Sequence, residues 1–216
     1  MSLIAVVDYG MGNLRSVDKA LEHVAGPGQE VRVTSSARDI DNASHVVFPG
    51  QGAARDCMLE LRGRGLIEPV LKAAREKPFL GICMGLQVLM SHSEENGGID
   101  CIGLYEGDVR FFGDVLNRDQ SATLLKIPHM GWNNVSQTRP HPLWRGIEQD
   151  SRFYFVHSYY VDPVDKSSVA GVTRYGIDFT CAIACSNVFA VQFHPEKSAT
   201  DGLKLLQNFT TWDGQA

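Results

Sequence analysis

The chain has 216 residues, 44% of them hydrophobic and 21% charged, with 20 Lys and Arg against 25 Asp and Glu for a formal charge of −5. That length suits one large domain with a core of its own, and the ordinary composition excludes disordered, collagen-like and coiled-coil chains. The acidic balance argues against general binding of nucleic acid or of an anionic membrane surface.

In chain order, Leu3 to Val7 is an apolar run of strand length, broken by the turn Asp8-Tyr9-Gly10-Met11-Gly12. Leu14, Val17, Leu21 and Val24 then repeat at helical spacing, and Gly26-Pro27-Gly28 stops that helix. Glu30 to Thr34 reads as a second strand, and His45 to Phe48 as a short buried one ending in Pro49-Gly50-Gln51-Gly52. A helical stretch from Met58 to Leu71 carries a break at Gly63 and Gly65. Phe79 to Ile82 is another apolar strand, followed after Cys83 by a helix expected to run through Leu86, Leu89 and Met90. Buried strands joined by helices imply right-handed crossovers and a mostly parallel sheet covered on both faces.

From about Cys101 to Phe189 the pattern changes to short strand-like runs: Asp108 to Phe112, Arg152 to Val161, Val169 to Thr173 and Thr180 to Cys185. With no linker to cut at, residues 1–216 read as one α/β domain whose parallel core carries antiparallel additions. A strand from Val188 to Phe193 and a helix through Leu203, Leu206 and Phe209 close it. The N-terminal apolar run stops at Asp8 with no basic segment before it, and no run reaches the ~18 apolar residues of a membrane span. The five cysteines contain no C-x-x-C pair and the histidines lack metal-ligand spacing. A reduced, cytoplasmic protein without metal or cofactor is expected.

Gly81-Ile82-Cys83-Met84-Gly85-Leu86-Gln87 carries the strongest chemical signal. Its cysteine stands where an apolar strand hands over to a helix, with glycines two positions before and after, the logic of the nucleophile elbow of hydrolases. A sulfur there lies at a helix N-terminus, which favours the thiolate, and the Met84 amide is free to meet a developing oxyanion. A small buried cysteine in a glycine-rich packing site is the alternative. Val191-Gln192-Phe193-His194-Pro195-Glu196 favours the first: His194 follows an apolar strand, and Glu196 is spaced to return and hold its tautomer. Elbow and histidine can meet at the carboxyl edge of one parallel sheet, where such folds place their sites. Pro49-Gly50-Gln51-Gly52 ends a strand on that edge, and its glycines allow a peptide orientation in which a backbone N–H completes an oxyanion hole; a simple turn is the equal alternative on these residues alone.

With these motifs in hand, the chain resembles the class I, triad-type glutamine amidotransferases, whose fold is flavodoxin-like. Asp8 to Leu14, Pro128-His129-Met130-Gly131-Trp132-Asn133, Phe155 to Tyr159 and Gln192 to Ser198 narrow the resemblance to the glutaminases of imidazole glycerol phosphate synthases, over essentially the whole chain. The resemblance implies that Cys83 attacks the side-chain amide of L-glutamine, that His194 moves the proton to ammonia, and that Glu196 orients His194. It gives Gln87 a part in binding glutamine and makes Gly50, Gln51 and Gly52 the oxyanion strand, with Gln51 where the family often has valine. It places Asn13 and Lys197 at the interface with a cyclase subunit, a (β/α)₈ barrel that consumes the ammonia in a heterodimer. A glutaminase serving a pyridoxal phosphate, anthranilate or GMP synthase, a free-standing γ-glutamyl hydrolase and a catalytically silent binding subunit are the other readings.

Overall fold

The apolar runs of the first half become parallel strands in a computed structural model that describes residues 2–116 and 125–215. In chain order they lie within β1 (Ser2–Val7), α1 (Leu14–Val24), β2 (Gln29–Thr34), α2 (Ala37–Asn42), β3 (His45–Gly50), α3 (Ala54–Gly63), α4 (Ile67–Glu76), β4 (Phe79–Cys83) and α5 (Met84–Gln87). The second half adds β5 (Met90–Ser93), β6 (Ile99–Asp100), β7 (Tyr105–Phe111), α6 (Gly113–Leu116), β8 (His129–Asn134), β9 (Ser136–Gln137) and β10 (Arg152–His157). It ends with β11 (Tyr159–Pro163), β12 (Val169–Tyr175), β13 (Ile177–Cys185), β14 (Val188–Val191) and α7 (Ala199–Thr211).

The main sheet runs in the order β2-β1-β3-β4-β14-β13-β11-β7-β5-β6, with β12 and β9 joined beside β13. Its first five strands are all parallel. Beyond β14 the pairing turns antiparallel through β13, β11 and β7, the additions expected for the second half. A separate ribbon pairs β8 with β10.

Side chains of β1 alternate between two cores, as the period of two requires. Ile4 and Val6 pack with Val17, Leu21, Leu205 and Phe209, on the face covered by α1 and α7. Ala5 and Val7 pack with Cys57, Leu61, Val70 and Ala73, on the face covered by α3 and α4. This double cover is why these strands read as unbroken apolar runs. Among the described residues no helix is long and apolar enough to cross a membrane.

Three expectations need correction. The helix after Cys83 does not reach Met90. It ends at Gln87, and Met90 opens β5. The carbonyls of Val88, Leu89 and Met90 accept the amides of Ile102, Tyr105 and Gly103, pairings that a continued helix would forbid. The stretch Arg152 to Val161 is two strands that part at Ser158, one in the ribbon and one in the main sheet. The last strand stops at Val191, two residues before Phe193. The short helix α2 had no periodic signal, because Ile40 is its single buried residue, yet Ser36 caps it by accepting the Asp39 amide at 3.3 Å.

Phe209 anchors α7: fully buried, it meets the His45 ring edge-on at 5.4 Å. Phe209→Ala should lower the unfolding free energy by about 3–5 kcal/mol in urea titrations. Leu59→Ala, at a residue 60% exposed, should stay within about 0.5 kcal/mol of the parent. Equal costs at the two positions would contradict this placement of α7.

Candidate active site

The backbone at Cys83 has φ +56° and ψ −109°, a conformation that costs a non-glycine residue about 1–3 kcal/mol. It is tolerated because the chain around it carries no side chains where backbones cross. A Cβ on Gly85 would lie 1.8 Å from the Phe48 carbonyl oxygen. On Gly81 it would lie 2.9 Å from the Ala190 Cβ, and on Gly50 2.2 Å from the Tyr9 hydroxyl and 2.8 Å from the Met84 Cβ. The glycines of both motifs therefore let β3, β4 and α5 meet at van der Waals distance, with the sulfur projected at the carboxyl ends of the strands. Met84, the first residue of α5, has an amide with no intrahelical acceptor, as in any first helical turn.

His194 reaches the same edge from the neighbouring strand, β14, which runs parallel to β4. Its amide donates to the Tyr154 carbonyl at 2.9 Å, and the Ser198 hydroxyl donates to its carbonyl at 2.6 Å. Nδ1 of the ring lies 2.8 Å from Glu196 Oε1, the two side chains only 3% and 1% exposed. Burial disfavours the charged ring, but the Cys83 sulfur and the Glu196 carboxylate outweigh it and raise the His194 pKa to about 10. Nε2 of His194 and Oε2 of Glu196 are buried without a hydrogen-bond partner. The imidazole is thus held through Nδ1 by Glu196, and the Cys83 sulfur is its other close polar neighbour.

Cys83, His194, Met84, Gln87, Gln51 and Gly52 all border one cavity of about 490 Å³. Glu95 and Lys197 supply a carboxylate and an ammonium to its wall. Gln87 is buried, and its amide donates to Gln192 Oε1 at 2.9 Å and to the Tyr159 carbonyl at 3.3 Å. Gln192 in turn donates to the Cys83 sulfur at 3.6 Å. Gln192 and Glu95 are not singled out by the sequence, although an amide within the apolar Val191-Gln192-Phe193 run is a signal of a buried polar contact. Two histidines that lack metal-ligand spacing in the sequence are paired in the fold, His129 Nδ1 standing 2.9 Å from His157 Nε2. Burial pushes the His129 pKa down to about 4 and that of His157 to about 3, so both rings are neutral near pH 7. Their hydrogen-bond order is then fixed: Asn133 donates to His129, His129 to His157, and His157 Nδ1 to the Tyr159 carbonyl at 2.7 Å.

Asn13 and Lys197 line different pockets, both of them bordered by Gln51 and His194. Asn13 precedes α1, donates to the Ser16 hydroxyl at 2.8 Å and borders a crevice shared with Gly50, Gln51 and Glu196. Lys197 lies on the cavity side, its Nζ 6.0 Å from the Tyr154 ring centroid. Tyr154 also meets Trp132 edge-on, and Trp132 and Met130 are 44% and 63% exposed. A thiol on a strained turn, a carboxylate-held imidazole and the Met84 amide at a helix start are parts needed for acyl transfer through a covalent thioester.

A family model described as glutamine amidotransferase class-I matches residues 5–211. The imidazole glycerol phosphate synthase subunit HisH of Thiobacillus denitrificans is 61% identical over 210 residues, 97% of this chain and 91% of that protein. Its counterpart from Pseudomonas putida is 58% identical over 215 residues, 100% of each chain. Among solved structures, a chain of PurLQS from Thermotoga maritima shares the fold at a TM-score of 0.68 and 20% identity, covering 96% of this chain and 97% of that one. A match over nearly the whole chain, together with such identity, means that the chain belongs to the class-I glutamine amidotransferase family.

Proposed function

We propose that residues 1–216 form one catalytic domain that hydrolyses L-glutamine to L-glutamate and ammonia, as the glutaminase subunit of an imidazole glycerol phosphate synthase. The ammonia passes to a cyclase subunit, a (β/α)₈ barrel, which makes imidazole glycerol phosphate and an aminoimidazole carboxamide ribotide. The observation that carries the glutaminase chemistry is the strained Cys83 in one cavity wall with His194, whose ring is held by the buried Glu196. The whole-length identity to HisH subunits supports the choice of synthase.

The Cys83 thiolate adds to the side-chain carbonyl carbon of glutamine, and the oxygen takes up the negative charge. The Met84 amide and an amide of the strand end 50–52 stabilise that oxyanion. His194, protonated and held through Nδ1 by Glu196, gives its Nε2 proton to the leaving nitrogen as the C–N bond breaks, leaving a thioester. Water then adds to the thioester with neutral His194 accepting its proton, and glutamate leaves as the thiol reforms. Gln192 holds the sulfur, and Gln87 fixes the Gln192 amide so that its NH₂ faces that sulfur. Glu95 is the carboxylate of the cavity wall that suits the α-ammonium of the substrate.

Exposed Met130 and Trp132, beside Lys197 and the cavity, support a partner that docks over the site. Apolar side chains displayed in this way mark an interaction surface.

Cys83→Ala should reduce glutamine hydrolysis by about 10⁴-fold or more, as loss of a covalent nucleophile does. The complex with the cyclase should still turn over on ammonium salts, and a Cys83→Ser enzyme keeping over a tenth of the activity would sink the assignment. His194→Ala should come close to the same loss, with the double variant little worse, because members of a triad act as a unit. Additive losses in the cycle would show that the two do not cooperate. The isolated chain should be a poor glutaminase, activated when the cyclase binds, and Lys197→Ala or Trp132→Ala should weaken the activation. Equal rates for free chain and complex would contradict this dependence on a partner.

A further inference from the structure

The end of β3 is backed by two buried polar side chains that the steps above do not use. Tyr9, just beyond β1, and Cys57, on the inner face of α3, are both fully enclosed. The Tyr9 hydroxyl donates to the Cys57 sulfur at 3.7 Å, and the Cys57 thiol donates to the Gln51 carbonyl at 3.5 Å. Burial pushes the Cys57 pKa up to about 11, so the thiol keeps the proton that this contact needs. The Tyr9 oxygen is also the atom that a Gly50 side chain would strike at 2.2 Å. Phenol and thiol thus brace the strand end from the core side.

A trans peptide is planar, with its C=O and N–H pointing opposite ways. Holding the Gln51 carbonyl towards α3 turns the Gly52 N–H away from α3, and Gly52, with φ +91°, borders the Cys83 cavity together with Gln51. We infer that Cys57 is a positioning residue, whose thiol anchors the Gln51–Gly52 peptide so that the Gly52 N–H is presented to the oxyanion formed at Cys83. The inference rests on the glutaminase reading and deepens it by naming what holds the oxyanion strand in register. Cys57 itself never touches the substrate.

Serine and alanine at position 57 are nearly equal in size and differ in the donor, so their comparison isolates the hydrogen bond from packing. In the complex with the cyclase, Cys57→Ala should lower kcat for glutamine on the order of tenfold, below the ~10²–10³ of a wholly lost oxyanion donor, with KM within about twofold of the parent. Cys57→Ser should recover kcat to within about twofold, and both should leave ammonium-dependent turnover unchanged. Equal kcat for the serine and alanine variants, whether both low or both like the parent, would overturn the inference. Should the alanine variant not fold, Cys57→Val, which fills the site without donating, takes its place. Cys83→Ala is run alongside: if it keeps glutamine hydrolysis, the glutaminase reading and this inference fall together. If it is inactive while Cys57→Ala matches the parent, only the role of Cys57 falls.

Discussion

The approach of Gly85 to the Phe48 carbonyl is the contact on which the rest of the site depends. No side chain fits at Gly85, since its Cβ would stand 1.8 Å from that oxygen. The approach lets the chain leave β4 into α5 while still packed on β3, and it forces Cys83 into a left-handed conformation. Such a conformation survives only where the surroundings over-determine it. Here β4 is bonded on both edges, to β3 and β14, and its residues are all buried. The cost of about 1–3 kcal/mol is small against the burial of Phe48, Phe79, Leu80 and Ile82, each worth about 1.5–3 kcal/mol. Strain at the sulfur is therefore sustained by the centre of the sheet, and the loops contribute little to it.

The same position explains the charges. A carboxylate and an imidazole, each almost without exposure, are unfavourable alone and stable only as a pair. Their partnership leaves one polar atom of each ring and carboxylate unsatisfied among the described residues. Two of the four buried side-chain atoms without a partner among the described residues belong to this pair, and a catalytic role is one of the reasons a buried polar group is left unpaired. The polar chain on the other side of the sulfur is different in kind. From Asn133 through His129, His157, the Tyr159 carbonyl, Gln87 and Gln192, each donor has an acceptor, ending on the sulfur itself. One wall of the cavity is thus rigidly satisfied and the other is poised.

The parallel half of the fold is legible in the sequence because strands covered on both faces have no choice but to be apolar, as Leu3–Val7 and Phe79–Ile82 show. The elbow and the histidine strand are legible for a related reason: glycines at fixed offsets around a cysteine have no use in a regular element. What is not legible depends on partners distant in the chain. Leu86, Leu89 and Met90 satisfy a helical spacing, and only the amides of residues 102–105 decide that the chain extends instead. Gln192 reads as part of a strand until the fold sets it beside Cys83, and His129 and His157 read as isolated until β8 pairs with β10. Cys57 carries no local signal at all, since a buried cysteine on an amphipathic helix is usually a packing residue.

The ribbon of β8 and β10 ties the outer surface to this interior. It is not a continuation of the main sheet, yet β10 passes into β11 through the single residue Ser158. At that junction the His157 ring bonds to the Tyr159 carbonyl, which also accepts from Gln87. Met130 and Trp132 are exposed on β8, and Trp132 leans on Tyr154 of β10, beneath Lys197. The Tyr154 backbone in turn accepts the His194 amide and donates to Ser198. A partner seated on the exposed apolar side chains would therefore press on a strand that is bonded to His194 through Tyr154 and continuous with the wall behind Gln87. The proposed dependence on a cyclase needs no distant relay, because the docking ribbon and the cavity wall are one stretch of chain.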